Sequence, residues 1–161
     1  MNASCCGRLE SPIGAVEVTV NEGGAVVSVS FIEDPMPGAD TIDGACTRAL
    51  RQLEEYFRGE RRRFELALEP DGTEFEHKVW NQVRRIPYGA TDTYGEIARR
   101  LGADSSSARA VGVANARNPI AIIIPCHRII GADGDLTGYA GGLDRKKWLL
   151  DVESGQGRLD F

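Results

Sequence analysis

The chain has 161 residues, of which 42% are hydrophobic and 27% charged, and its formal net charge is −5 at pH 7. This length suits one compact domain or two small ones, and the short apolar runs exclude a membrane-spanning helix. The charge is uneven: residues 1–72 carry 7 basic and 13 acidic side chains, whereas residues 73–161 carry 12 and 11. The second part can therefore meet phosphate through a local basic patch. We also expect a cytoplasmic protein, because no signal segment opens the chain.

The first predicted element is a β-hairpin. Residues 14–20 and 25–31 are rich in β-branched side chains, and a Gly-containing turn at 21–24 separates them. The following stretch, 33–44, is rich in Pro, Gly and Asp and is typical of a loop.

A helix is predicted over 45–58, since Leu50, Leu53, Tyr56 and Phe57 fall on one face and Gly59 suits its end. Residues 64–68 alternate like one more strand. Pro70-Asp71-Gly72 breaks the pattern, and we place a domain boundary directly after it.

Helical patterns dominate the rest of the chain. Thr73 and Glu76 have the spacing of a capping box, and the apolar residues behind them recur with helical period: Phe75, Val79, Val83 and Ile86. Thr93 and Glu96 repeat the capping spacing before a short helix that Gly102 closes. This short helix and the helix that follows it, joined by a Gly-containing turn, favour a helix-turn-helix, with plain bundle packing as the alternative.

The third helix of this region is predicted to start at the N-cap candidates Ser105-Ser106-Ser107, to reach Ala116 and to stop at Asn118-Pro119. Residues 120–124 are all apolar and predict a short buried strand or extended segment. After a Gly- and Asp-rich loop, 131–142, a last helix is predicted over 144–153.

Cys126 is the strongest candidate for chemistry. The neighbouring His127 can take the thiol proton, Arg128 adds positive potential that favours thiolate, and Pro125 stiffens the approach. A structural core cysteine is the plainer alternative. Residue types alone leave a hydrolase, a transferase and a redox thiol open.

The other cysteines, Cys5, Cys6 and Cys46, do not predict a disulfide framework in a chain long enough to build a core. No CxxC or HxxxH partner lies near the Cys5-Cys6 pair, so we expect neither a metal nor a cofactor.

Several ordered motifs resemble the O6-alkylguanine-DNA alkyltransferase family. The resemblance is dense over residues 73–153 and rests on these segments: Phe75 to Trp80, Ile86-Pro87-Tyr88-Gly89, Thr93 to Ala98, Arg109-Ala110-Val111-Gly112, Asn118-Pro119, Ile124-Pro125-Cys126-His127-Arg128, Gly138-Tyr139, Gly141-Gly142 and Trp148 to Glu153. In the first domain Ser11-Pro12-Ile13-Gly14 and the strand-helix order match. The resemblance implies an α+β protein: a small ribonuclease H-like α/β support domain (1–72) and a mostly helical domain with a helix-turn-helix (73–161).

The resemblance also implies a reaction, the irreversible and stoichiometric transfer of an alkyl group from O6-alkylguanine in DNA, and less well from O4-alkylthymine, to the protein. By this resemblance Cys126 is the acceptor, His127 a general base acting through water, and Glu153 the carboxylate that orients it. Tyr94 donates a proton toward the departing purine, and Asn118 fixes the cysteine loop.

The implied partner is double-stranded DNA with the damaged base flipped out, contacted in its minor groove by a monomer. Arg109 takes the place of the lost base, the small Ala110, Gly112 and Ala114 allow close approach, and Tyr94 and Arg117 contact the backbone. The implied pocket is made by Tyr139, Ile124, Pro125 and Arg128.

Two features depart from the family pattern: the acidic Asp92 near the expected DNA face, and Ser105-Ser106-Ser107 in place of a Gly- or Pro-containing turn. Two other classes of protein compete with this interpretation. One is the alkyltransferase-like proteins, which bind lesions without transfer and lack the cysteine; the other is a helix-turn-helix regulator.

Overall fold

The structure, a computed structural model, describes residues 3–33, 44–102, 107–136 and 138–155, without the side chains of residues 3–5. Two compact units divide between Asp71 and Gly72. No helix within the described ranges combines the length and the apolar character that crossing a membrane requires.

The first unit contains an antiparallel sheet in the order β1 (Ala3–Ser11), β2 (Gly14–Asn21) and β3 (Val26–Ile32). The β2–β3 hairpin confirms the prediction from the β-branched runs. The sequence analysis missed β1, because its residues, ASCCGRLES, include no β-branched side chain and give no strand signal.

Helix α1 (Gly44–Phe57) packs on β1 and β2 and confirms the predicted helix to within a residue at each end. Its buried face closes the core of this unit and includes Cys46, Ala49, Leu53, Tyr56 and Phe57. Most of the predicted loop, 34–43, lies outside the described residues.

The predicted strand at 64–68 is wrong. This segment touches the sheet only at a bridge between Val26 and Leu68. Its backbone is bound elsewhere, since the Gln52 side chain accepts a hydrogen bond from the Glu65 N–H at 2.9 Å and donates to the Glu65 carbonyl at 3.3 Å. An α1 side chain thus occupies groups that a strand ladder would use.

The second unit is mostly helical, with α2 (Glu74–Val83), α3 (Tyr94–Arg100), α4 (Ala108–Ala116) and α5 (Leu143–Glu153). The short strands β4 (Asp92–Thr93) and β5 (Ile129–Ile130) pair in parallel. Helices α3 and α4 pack on each other, as the predicted helix-turn-helix requires. The α+β fold class is therefore confirmed; Ser105 and Ser106 lie outside the described residues, and Ser107, which precedes α4, makes no side-chain capping bond.

The two predicted capping boxes differ. Thr73 and Glu76 form the complete reciprocal box at α2. At α3 only half forms, because Thr93 caps the Glu96 N–H while the Thr93 N–H binds Asp92 Oδ1 and the Glu96 carboxylate pairs with Arg99.

Helix α2 is shorter than its apolar period predicted. It ends at Val83, and Ile86 is buried in the turn that follows, whereas Phe75 is 38% exposed. The indole N–H of the buried Trp80 donates to the Ala114 carbonyl at 2.9 Å and joins α2 to α4. Gly72 lies so close to the indole that a Cβ there would be 2.4 Å from it, so only glycine fits.

Candidate active site

The segment before Cys126 is a tight turn, and the predicted extended conformation of residues 120–124 is wrong. The Ile124 N–H donates to the Ile120 carbonyl at 3.1 Å, and Ile122 has a positive φ of 71°. A β-branched residue adopts this conformation only when its surroundings hold it.

The Asn118 side chain closes this turn. Its amide N–H donates to the carbonyls of Ile124 at 2.8 Å and Ile120 at 3.3 Å, and its oxygen accepts from the Ile120 N–H at 3.0 Å. One side chain therefore satisfies three backbone groups that an extended strand would have paired with a neighbour.

Cys126 opens a single turn of 3-10 helix, Cys126–Arg128, and is 6% exposed. Burial raises the pKa of its thiol, while a hydrogen bond from the Asn118 side chain and the positive charge of Lys146 act in the opposite direction. Because the net shift is upward, the resting sulfur is a neutral thiol at pH 7 and needs a base before it can attack.

His127, Arg128 and Glu153 form a buried polar cluster beside that thiol. His127 Nε2 lies 2.7 Å from Glu153 Oε2, and Arg128 donates from Nε to Oε1 at 2.8 Å and from a terminal nitrogen to Oε2 at 2.9 Å. Burial by itself raises the pKa of the Glu153 carboxyl, but the bonds and charges of His127 and Arg128 outweigh it and hold the pKa at about 2. Glu153 is therefore ionised at neutral pH.

The same cluster fixes the proton on His127. Burial lowers the pKa of its imidazole, so the ring is neutral at pH 7. A neutral ring beside a carboxylate carries its hydrogen on Nε2, which leaves Nδ1 as an acceptor. Nδ1 is buried and has no hydrogen-bond partner among the described residues.

Arg128 does not supply the potential expected at the sulfur. Besides Glu153, its guanidinium donates to the Ile86 carbonyl at 2.7 Å and lies over the Tyr88 ring. The cation whose charge lowers the pKa of Cys126 is Lys146 instead.

Lys146 was missed by the sequence analysis. It lies on α5, is fully buried and donates from Nζ to the Ile129 carbonyl at 2.5 Å. Burial lowers the pKa of its ammonium, and the negative charge that Cys126 carries when ionised raises it. A signal was present, because Lys146 and Glu153 are seven residues apart, two helical turns, and so share a face.

Asn115 was missed as well. This α4 residue is 3% exposed and donates from Nδ2 to the Cys126 carbonyl at 3.1 Å. Its Oδ1 is buried and accepts no hydrogen bond within the described part of the chain. The sequence alone gave no sign of this contact, which depends on how α4 packs against the cysteine turn.

Three predicted pocket residues lie around Cys126. The Tyr139 ring meets His127 edge-on with centroids 6.5 Å apart, and its buried hydroxyl has no partner among the residues described. Burial, followed by the Cys126 charge, raises the pKa of Tyr139 well above its ordinary value. Ile124 and Pro125 are buried, and the Ile124 carbonyl already accepts from Cys126 N and Asn118.

Tyr94 begins α3, away from the cysteine turn in sequence. Its ring lies against Gly112 of α4, where an added Cβ would be 3.6 Å from the ring carbons.

Asp92, the acidic residue that departs from the family pattern, is paired: its Oδ2 accepts a hydrogen bond from Arg100 at 2.5 Å. Its negative charge is therefore largely balanced within the protein.

Helix α4 presents a distinct outer face. The residues exposed on it include Arg109, Ala110, Val113 and Arg117, which with Phe75 line a groove between α4 and the start of α2. Arg117 also pairs with Glu76 at 3.5 Å. Ala114 lies at the floor of this groove: it is 3% exposed, and its carbonyl accepts from the Trp80 indole.

Comparisons with known proteins agree over most of the chain. A family model described as 6-O-methylguanine DNA methyltransferase, ribonuclease-like domain, matches residues 5–70, and one described as its DNA binding domain matches residues 74–155. A methylated-DNA–protein-cysteine methyltransferase of Methanosarcina acetivorans is 51% identical over 150 residues, covering 89% of this chain and 94% of the relative. Its namesake from Mycobacterium leprae is 46% identical, covering 94% and 93%. The crystal structure of Mycobacterium tuberculosis OGT in complex with DNA matches with a TM-score of 0.83 at 43% identity, covering 94% of both chains.

Proposed function

This chain belongs to the 6-O-methylguanine DNA methyltransferase family, and from that premise we propose that Cys126 accepts the alkyl group in its DNA-repair reaction. The observation that carries the proposal is the buried cluster of Cys126, His127 and Glu153, in which His127 follows Cys126 in the chain and its Nε2 lies 2.7 Å from Glu153 Oε2. It supplies a nucleophile, a base and a carboxylate that orients the base.

The reaction is a displacement at the alkyl carbon of O6-alkylguanine. A C–S bond forms to Cys126, the bond from the alkyl carbon to O6 breaks, and its electron pair stays on guanine. The thiol proton leaves toward His127, and the departing purine takes up a proton. Because a thioether is too poor a leaving group for water to reverse the step, each molecule reacts once. O4-alkylthymine is the weaker substrate.

His127 acts as the base through Nδ1, which has no hydrogen-bond partner among the described residues, with one water between ring and sulfur. Glu153, ionised because its pKa is about 2, accepts the Nε2 hydrogen and stabilises the imidazolium that forms. Arg128 holds both carboxylate oxygens in place, so its contribution is made through Glu153.

Two further groups stabilise the thiolate once it forms. The Asn118 amide donates to the sulfur while it holds the cysteine turn, and Lys146 supplies positive charge in a buried setting where charge is weakly screened. Tyr94 is the proposed proton donor toward the purine.

The proposed partner is duplex DNA bound through the outer face of α4. Arg109 enters the stack where the damaged base leaves it, Ala110 and Gly112 allow the helix to approach the minor groove, and Tyr94 and Arg117 contact the backbone. The extruded base lies against Tyr139 and Pro125. We further propose that one molecule acts alone, in the cytoplasm, where a reducing environment keeps Cys126 a thiol.

The test is to weigh the intact protein after incubation with duplex DNA that carries O6-methylguanine. We expect a gain of one methyl mass, localised to Cys126 by peptide mapping and absent from Cys126→Ala. An unmodified protein that nonetheless binds the lesion would favour an alkyltransferase-like binding protein, and repeated turnover without an adduct would indicate a hydrolase.

A further inference from the structure

Asn115 differs from the other buried polar residues around Cys126 that have an unpaired atom, because the proposed function assigns a role to His127 and Tyr139 but none to Asn115. His127 Nδ1 takes the thiol proton, and Tyr139 forms a wall of the pocket. Asn115 uses only one end of its amide: Nδ2 binds the Cys126 carbonyl at 3.1 Å, and the buried Oδ1 is without a partner among the described residues.

The orientation of this amide is fixed by the carbonyl that it meets. A flipped side chain would set Oδ1 against the Cys126 oxygen, two acceptors with no hydrogen between them. A buried acceptor that receives no hydrogen bond lowers the stability of the fold. A leucine side chain would fill the same volume without that cost. The presence of an asparagine therefore suggests that its Oδ1 accepts a hydrogen bond from a group that binds the protein.

The position of Asn115 suits a donor on the substrate. The alkyl carbon must come within about 3–3.5 Å of the Cys126 sulfur to react, which brings the purine to the walls around that residue. Asn115 contacts Cys126 from α4, whereas Tyr139 approaches from the loop between β5 and α5. The extruded purine and the Asn115 amide would therefore both lie next to Cys126.

The chemistry of the lesion narrows the choice of donor. Alkylation at O6 removes the hydrogen from N1 of guanine, and N9 is bonded to the sugar. The exocyclic 2-amino group is then the purine's only remaining N–H donor, and the other ring nitrogens are acceptors.

We propose that Asn115 is a specificity-determining residue whose Oδ1 accepts a hydrogen bond from the 2-amino group of the extruded O6-alkylguanine. The inference rests on the proposed function, since it requires the base to approach Cys126. It also gives α4 a second role: the helix that contacts DNA on its outer face reads the extruded base with its buried face.

The test compares two duplexes of the same sequence, one with O6-methylguanine and one with 6-methoxypurine, which carries the same methyl group and lacks the 2-amino group. Rates of Cys126 methylation are read by intact mass for wild type, Asn115→Leu and Asn115→Asp. Differences in how easily the two lesions leave the duplex cancel when the rate ratio of a variant is divided by that of wild type.

We expect wild type to prefer O6-methylguanine by at least about tenfold, because the analogue leaves the buried oxygen unpaired. Asn115→Leu should reduce the preference to within about twofold. Asn115→Asp should retain it, since a buried carboxyl beside a carbonyl is protonated and can both donate and accept. Asn115→Ala removes the same oxygen and replaces the Leu variant if that protein does not fold.

The proposal is overturned if wild type shows no preference, if the preference persists in the folded Leu or Ala variant, or if the Asp variant loses as much of it as the Leu variant. Failure of the proposed function looks different: Cys126 of wild type would then gain no methyl group from either duplex.

Discussion

Two polar regions of the second unit use charge in opposite ways. Around Cys126 the ionic side chains are buried: Glu153, Arg128 and Lys146 each have 7% or less of their surface exposed. On the outer face of α4 the cations are solvated, and the Arg117 side chain is 69% exposed even though it pairs with Glu76. The buried charges are bound to fixed partners, and Arg128 helps to hold the pKa of Glu153 low, whereas the exposed charges remain available to a polyanion.

This contrast means that mutations in the two regions should separate. A change in the buried cluster should alter stability and sulfur reactivity together, because the same bonds serve both. A change on α4 should alter events on DNA and leave the isolated protein nearly unaffected.

The largest expected effect is that of Glu153→Gln. The substitution leaves the Arg128 guanidinium buried without its carboxylate, which lowers the free energy of unfolding by about 3–5 kcal/mol. It also removes the partner that orients His127, so alkylation slows. Urea unfolding followed by circular dichroism measures the first effect, and methyl transfer in the folded protein measures the second. Stability within about 0.5 kcal/mol of wild type would show that the cluster does not hold the fold.

Acid provides an independent check on the same carboxylate. Its folded-state pKa of about 2 lies below the ordinary 4.5, so its contribution to stability is complete above pH 4.5 and is lost as the pH falls toward 2. The stability difference between wild type and Glu153→Gln should therefore shrink across that window. A stability difference that stays constant between about pH 5 and about pH 2 would argue against a lowered pKa for the Glu153 carboxyl.

Lys146→Met tests the cation beside the sulfur. Removing its charge should raise the pKa of Cys126 further and slow the reaction with free O6-benzylguanine at pH 7 by about tenfold, the equivalent of one pKa unit. At pH values above the thiol pKa the rates of wild type and Lys146→Met should converge. The rate–pH profile of the variant is therefore displaced to higher pH.

Lys147→Met is the matched control for that variant. The neighbouring lysine is exposed and pairs with Asp151, so its loss should leave the profile in place. If both variants gave the same profile as wild type, the charge of Lys146 would have no part in activating the sulfur.

Arg109→Ala is expected to have the smallest effect on the protein itself. Its free energy of unfolding should stay within about 0.5 kcal/mol of wild type, as for other surface substitutions. Repair of O6-methylguanine in duplex DNA should slow severalfold, while the reaction with free O6-benzylguanine keeps its rate, because only the duplex requires extrusion. Arg58→Ala, directly after α1, removes an exposed arginine of the first unit as the charge-matched control. Equal losses on both substrates would contradict the extrusion role.

Predictions from the sequence succeeded where the stabilising interactions join residues close in the chain and failed where they join distant residues. The capping box of Thr73 and Glu76 and the hairpin of β2 and β3 depend on residues close in the chain, and both formed. The prediction for residues 64–68 was wrong because Gln52, distant in sequence, occupies the backbone of Glu65.

The same distinction holds at the site. The motif around Cys126 named the proposed nucleophile, its neighbouring imidazole and, through family resemblance, Glu153. It could not show that Arg128 is held by Glu153, that Lys146 is the cation acting on the sulfur, or that Asn115 binds the Cys126 carbonyl. Each of these depends on a contact between separate elements.

By itself the sequence indicated which groups can react, because Cys126 follows Pro125 and precedes His127, and the family resemblance added Glu153 and the reaction. Only the tertiary structure decided the pKa values of those groups. Burial raises the pKa of Cys126 and lowers that of His127, and the bonds and charges of His127 and Arg128 hold the pKa of Glu153 low. The reason is physical: a pKa depends on solvation and on nearby charge, and both are set when distant helices and turns pack together.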